Sequence, residues 1–428
     1  MKVAVVGAGY AGMAAATELA AHGIPVTVFE ASKQLGGRAR RVDYRGLALD
    51  NGQLIFLGAY HETLSLMRLA GADPVALLLR LPLQLVIPGR FSLQAAPLPA
   101  PLHLALGLIT ARGLGWGERL AAVMFMSAMR RLNFRLPEDL NAAAMLEQHG
   151  QTGNLRRYLR EPLCVAALNT PLATASAQVF LNALRDSLAG SRADSDMLLP
   201  LTDLSRLFPE YAAAFVEKHG GKVRLSQTVL SIRAGAQGFA VETRQGTEKF
   251  DRVICAVPPQ RLAALVADQP ELADATAKTA CLGYQPIYTV FLQYAPATRL
   301  PRPMIGLCDG VTQWVFDHGQ MNREAGLMCA VISAEGPHQA LGHDQLAQQV
   351  DAELRAAVPG LPQPLWHKVI AEKRATFACT PNLDRPSQAT PLQNFYLAGD
   401  YTAGDYPATL EGAVQSGVKC AKLVLESQ

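Results

Sequence analysis

Apolar positions in this chain come first as a short unbroken run, Val3 to Val6 in "KVAVVGAGYAGMAAATELAAHGIPVTVFEAS". A run without polar alternation suits a parallel strand covered on both faces. Ala14, Ala15, Ala16 and Leu19 are good helix formers and predict a helix over 12–21. A second run, Val26 to Phe29, predicts another strand and ends at Glu30. Further on, Val223 to Ile232 and Phe239 to Thr243 read as strands, with "GAQG" as the turn between them. Phe250 to Pro259 reads as a strand that closes on a proline pair. Tyr396 lies in a last short apolar run ending at Gly399 and Asp400, and a turn and a helical segment follow it.

The first turn carries chemistry. Gly7, Gly9 and Gly12 give G-x-G-x-x-G between a strand and a helix. Gly7 permits the tight turn, Gly9 admits a pyrophosphate, and Gly12 lets the helix pack on the strand. The helix N-terminus points free N–H groups and a positive dipole end at phosphate. Glu30 follows Gly12 by 18 residues, the distance at which an acid reaches a ribose hydroxyl. "GGRAR", 36–40, adds Gly37, where backbone comes close, and Arg38, whose fork suits a phosphate. "LALDNGQLIF" then places Asn51, Gly52 and Gln53 in a turn.

Composition narrows the class. The 428 residues allow two or three structural units, each with a sizeable core. Half the residues are hydrophobic, only 18% are charged, and the net charge is +3, which makes no case for a nucleic-acid partner. Seven cysteines without a C-x-x-C read as a reducing compartment, so the cytoplasm is expected. With no basic leader before the first strand, no signal peptide is expected. Histidines and cysteines show no metal spacing, so no metal is expected.

From Phe91 to Ala111 there is no charged residue, yet Pro97, Pro99 and Pro101 oppose a membrane-spanning helix. Between Phe91 and Arg135 stand five arginines (112, 119, 130, 131, 135) against Glu118 alone, with Trp116, Met124, Phe125, Met126 and Met129 among them. Two readings stay open. One is a peripheral contact of 91–135 with the anionic inner face of the cytoplasmic membrane. The other is a helical pair packed on the core with a solvated basic edge.

The Glu30 to Gly-Gly-Arg spacing, the Asn-Gly-Gln turn and the late Gly-Asp together resemble the FAD-containing amine oxidase and phytoene desaturase superfamily. The resemblance implies an α/β fold with an α+β substrate part. A discontinuous Rossmann-like FAD-binding domain (1–75, 195–262, 370–428) would carry a mixed-sheet and helical substrate domain (76–194, 263–369). It implies non-covalent FAD, held by Gly7, Gly9, Ala11, Gly12, Glu30, Ala31, Gly37, Arg38, Asn51, Gly52 and Gln53. Val229 would meet the adenine end, and Ala256 would lie beneath the pyrophosphate. Gly399 and Asp400 would hold the ribityl–pyrophosphate portion, with N–H groups at Thr409 and Leu410 facing the ring. Cys379 precedes Asp400 by 21 residues, but "TFACTP" does not look like a covalent flavin motif.

"LREPLCVAALNTPLATASAQVFLNALRDSL" and "SDMLLPLTDLSRLFPE", with the front and rear motifs, resemble one branch, the hydroxysqualene dehydroxylases. Leu54 departs from it, since a His is expected after Asn-Gly-Gln. The branch implies removal of an allylic hydroxyl from a triterpene, hydroxysqualene, by hydride from reduced flavin, feeding hopanoid-type synthesis. Electrons would come from an external donor. An acid must meet the leaving hydroxyl, and Asp405 and Tyr406 are the candidate catalytic residues. Other readings are a carotenoid-type desaturase or amine oxidase of the same fold, or a flavin-bound lipid-handling scaffold without chemistry.

Overall fold

The structure is a computed structural model that describes residues 1–427. Val3–Val6 forms the centre of a parallel sheet drawn from distant parts of the chain. Among the described residues the order is Lys222–Arg224, Val26–Phe29, Val3–Val6, Arg252–Cys255, Phe395–Leu397. Val3 pairs with both Val26 and Arg252, and Val253 pairs with Phe395.

The unbroken apolar run has its reason here. Val3 and Val5 face one core, shared with the first helix, Tyr10–Ala21, and the C-terminal helix, Leu410–Glu426. Ala4 and Val6 face the other core, formed with the antiparallel strands Val229–Gly235, Gly238–Thr243 and Gly246–Phe250. The two helices touch at Gly417, where a Cβ would stand 2.1 Å from the Ala11 carbonyl oxygen. No other residue allows so close an approach.

Two expected strands divide. Val223 to Ile232 was read as one strand, but it breaks at Ser226, whose φ is 55°. The Ser226 and Gln227 N–H groups bond the carbonyls of Ser32 and Glu30, at 2.9 and 2.8 Å, so the chain leaves the parallel sheet there. Phe250 likewise closes the antiparallel sheet, and Asp251 turns the chain into Arg252–Cys255. The first helix starts at Tyr10 rather than at 12, because Gly9 is its N-cap.

A second sheet is antiparallel, in the order Met304–Gly306, Trp314–Asp317, Leu327–Ser333, Tyr284–Gln293, Trp366–Phe377. Phe291, Phe316 and Cys329 face a core shared with residues 83–114 and 155–159. Val290, Met328 and Ile332 face the helix His343–Ala357. Position 370, expected as a domain boundary, falls inside the strand Trp366–Phe377, which leads from this sheet back toward the parallel one. The charge-free stretch ends as a strand, Phe91–Gln94, and a helix, Leu102–Thr110; among the described residues no helix is long and apolar enough to cross a membrane.

Candidate functional site

The glycine turn after the first strand lies against the 36–40 turn. Gly9 and Gly36 form a bridge, and the Gly36 N–H donates to the Ala8 carbonyl at 2.9 Å. A Cβ on Gly37 would stand 3.1 Å from the Gly9 Cα. Gly7 has φ 109°, and a side chain there would meet the Ala256 carbonyl at 2.5 Å. Gly7, Gly9, Gly37 and Ala256 are thus gathered outside the carboxyl ends of two adjacent parallel strands, where such sheets take ligands. Ala11 and Gly12 lie in the first turn of the buried first helix. Gly9 offers no side-chain cap, so first-turn N–H groups are open to an anion.

Glu30 has a role besides the one expected. Its carboxylate accepts the N–H groups of Ala8 and Ser32, both at 2.7 Å, and so clips the glycine turn to the end of the second strand. Ala31, between them, is exposed. Val229 is buried among Val6, Phe29 and Val241, and its side chain serves packing.

Arg38 differs from expectation. Its fork is engaged within the protein: Nη1 donates to the Ala375 carbonyl at 2.6 Å and Nη2 to Asp400 Oδ1 at 2.5 Å. Asp400, buried at the head of the last turn, raises the Arg38 pKa although burial opposes it. Asn51 donates to the Arg38 carbonyl and to Glu372, at 3.0 and 3.1 Å. Gly52 follows at φ 143°. Gln53 Oε1 accepts the Nε2–H of His318 at 3.0 Å. Burial first, and then Arg323, push the His318 pKa well down, so its imidazole is neutral. Leu54 packs on the apolar core.

The late turn is knitted to the C-terminal helix. Ser416 Oγ accepts the Gly399 N–H at 3.0 Å and pairs with Thr402 Oγ1 at 2.8 Å. Arg385 donates to the carbonyls of Asp400, Gly404 and Tyr406. Thr409 caps the helix by accepting the Gly412 N–H. The Thr409 N–H itself donates to the Pro407 carbonyl at 2.7 Å, so Leu410, and not Thr409, presents an open first-turn donor.

Asp405 and Tyr406 part company. Asp405 is exposed and acts as a counter-ion, 3.4 Å from Arg185 and 3.9 Å from Arg135. Tyr406 is half-buried; burial, then the Asp186 carboxylate, Glu411 and Tyr60, raise its pKa, so the phenol keeps its proton. Both line a cavity of about 690 Å³ with Asp186, His61 and Gln415. Asp186 lies in a π-helical turn, Arg185–Ala189, which no sequence pattern announces. Glu411 was also missed. It is fully buried and accepts the N–H groups of Glu62 and Thr63 and the Thr63 hydroxyl. Its signal was available: a carboxylate on the apolar face of the last helix, beside Val414 and Val418.

Cys379 is buried and its thiol is pushed up to about 12 by desolvation, which suits neither attack nor covalent attachment. The close backbone approach of Gly9 and Gly37, open N–H groups at one helix end, and a second open helix end beyond Asp400 fit a long dinucleotide lying between both ends of the chain.

The family model for flavin containing amine oxidoreductases matches residues 10–425. The hydroxysqualene dehydroxylase of Rhodopseudomonas palustris is 31% identical over 99% of this chain and 98% of its own. That of Sinorhizobium fredii is 30% identical over the same shares. An oxidoreductase from Methanosarcina mazei has the same fold, with TM-score 0.75, 15% identity and complete coverage of both chains.

Proposed function

The chain belongs to the flavin containing amine oxidoreductase family, within its hydroxysqualene dehydroxylase branch, and from that premise we propose that it converts hydroxysqualene to squalene. It is an FAD-dependent oxidoreductase. When bound and reduced, FAD supplies the hydride that replaces the allylic hydroxyl, which takes one proton and leaves as water. A separate donor would supply the two electrons.

The chain's own residues would bind and orient, and solvent water would supply the proton that the leaving hydroxyl takes. Gly7, Gly9, Ala11, Gly12 and Gly37 would cradle the pyrophosphate, with Ala256 beneath it. Glu30 and Ala31 would border the adenine ribose. Asp400, fixed by Arg38 and preceded by Gly399, whose N–H ties to Ser416, would meet the ribityl end. The Leu410 N–H would face the ring, and Asn51, Gly52 and Gln53 would border it. We place the leaving hydroxyl at Tyr406. Its raised pKa keeps the phenol protonated, so it would donate a hydrogen bond to that oxygen rather than act as a free proton source. Asp405 is set aside as an acid because two arginines hold it at the surface.

The observation that carries this reading is the full-length relationship to the Rhodopseudomonas enzyme. The test is an anaerobic incubation of the FAD-loaded protein, reduced with dithionite, with synthetic hydroxysqualene, followed by chromatography of the lipid. Squalene formed as the flavin reoxidises supports the reading. Unchanged alcohol beside flavin that stays reduced sinks it.

A further inference from the structure

More than half of the large hydrophobic side chains left exposed among the described residues lie between Leu102 and Leu132. They form two stripes. On the helix Leu102–Thr110 the exposed residues are Leu102, Leu106 and Ile109, spaced i, i+4, i+7. On the helix Trp116–Arg131 they are Trp116, Leu120, Val123 and Met124, spaced i, i+4, i+7, i+8. Trp116 is 73% exposed, Met124 62% and Leu120 60%. The inward face is a different set, His103, Gly107, Ala122, Phe125 and Met129. Each helix is therefore apolar on both sides. A surface helix of an ordinary soluble domain is polar on one of them.

Arg119 locks the pair into one surface. Its guanidinium donates to the carbonyls of Ile109, Ala111 and Leu114 at the end of the first helix, and lies 4.7 Å from the Trp116 ring centroid. The exposed charge of the segment is basic, although Arg135 at its end lies 3.9 Å from Asp405. Arg112, Arg130, Arg131 and Arg135 are exposed. The single carboxylate of the segment, Glu118, is turned to the backbone, accepting the N–H groups of Gly115 and Leu155 at 2.8 and 3.1 Å.

We propose that this two-helix face docks on an anionic lipid bilayer, with Leu102, Leu106, Trp116, Leu120 and Met124 entering the headgroup–acyl boundary and the arginines meeting lipid phosphates. An interfacial helix pair needs an apolar face for the acyl boundary and basic residues at its margin, and both are present. A second copy of the chain fits less well. A two-fold contact would set Arg112, Arg130 and Arg131 of one copy against those of the other. The inference goes beyond the proposed reaction and does not depend on the substrate.

The test uses the FAD-loaded full chain and extruded vesicles of phosphatidylcholine, with and without phosphatidylglycerol. The protein should sediment with the phosphatidylglycerol vesicles and bind at least about tenfold less to the zwitterionic ones. Binding should weaken as salt rises. Trp emission should shift to the blue on vesicle addition, and Trp116→Phe should abolish the shift. Leu120→Ser/Met124→Ser and Arg130→Gln/Arg131→Gln should each lower the bound fraction while flavin absorbance and melting temperature hold. Three outcomes would overturn the proposal: protein that stays in the supernatant with anionic vesicles, binding that survives the Leu120/Met124 changes, or a dimer that dissociates on those changes and binds no vesicle. Squalene formation is measured separately, so failure here leaves the proposed reaction standing.

Discussion

Arg38 and Asp400 stand 362 residues apart in the chain and 2.5 Å apart in space. The pair joins the Gly-Gly-Arg turn to the late Gly-Asp turn, so the two ends of the chain meet through a charge-assisted hydrogen bond. Asp400→Leu should leave a buried-side guanidinium unpaired and cost about 1–3 kcal/mol, a range lowered for Arg38's partial exposure. Arg38→Met/Asp400→Leu together should cost less than the sum of the single changes. Urea titration with flavin retention on gel filtration would check both, and additive losses would show that the pair is not coupled.

Glu411 holds the start of the helix His61–Leu69 to the C-terminal helix through three hydrogen bonds. An anion at a helix N-terminus is favoured by the open N–H groups there. Glu411→Ala should lose about 2–4 kcal/mol, because buried donors lose their acceptor. Glu411→Gln should lose less. Denaturant midpoints of the two variants would separate lost charge from lost shape.

His318 predicts a pH dependence. Its folded pKa lies well below the unfolded value, so the unfolded chain binds the extra proton first. The stability it contributes is present above about pH 6.5 and falls as pH drops toward the folded pKa. The melting temperature should therefore decline between about pH 7.5 and about pH 5.5, and His318→Gln should flatten part of that decline. An identical slope in the variant would remove His318 as a cause.

Tyr406 and Asp405 should behave differently. Tyr406→Phe should slow single-turnover squalene formation by roughly a hundredfold, if its hydroxyl meets the leaving group. Asp405→Asn should change the rate by less than about twofold, as expected for an exposed ion pair. Equal rates for Tyr406→Phe and the parent protein would discard Tyr406.

The parallel strands and both nucleotide turns were legible because they are local. Gly7, Gly9 and Gly12 lie within six residues, so their spacing alone announces the turn, and Val3–Val6 is apolar on both faces because both are covered. The division of Val223 to Ile232 was not legible. Its apolar pattern is continuous, and only hydrogen bonds from Ser226 and Gln227 to Ser32 and Glu30 break it. The same holds for Asp186, which shares a cavity with Tyr406 only because a π-helical turn meets a loop more than 200 residues away.

The amino-acid order by itself determined a strand–glycine–helix unit for a dinucleotide, a second open helix end late in the chain, and an apolar, weakly charged middle. Those follow from backbone freedom, helix dipoles and composition, which act over a few residues. Tertiary structure alone decided that Arg38 faces Asp400, that Asp405 is a surface counter-ion, and that Trp116, Leu120 and Met124 point outward while Phe125 and Met129 point in. Periodicity says which residues share a helix face. Which face meets the core depends on what packs against it, and that partner comes from elsewhere in the chain.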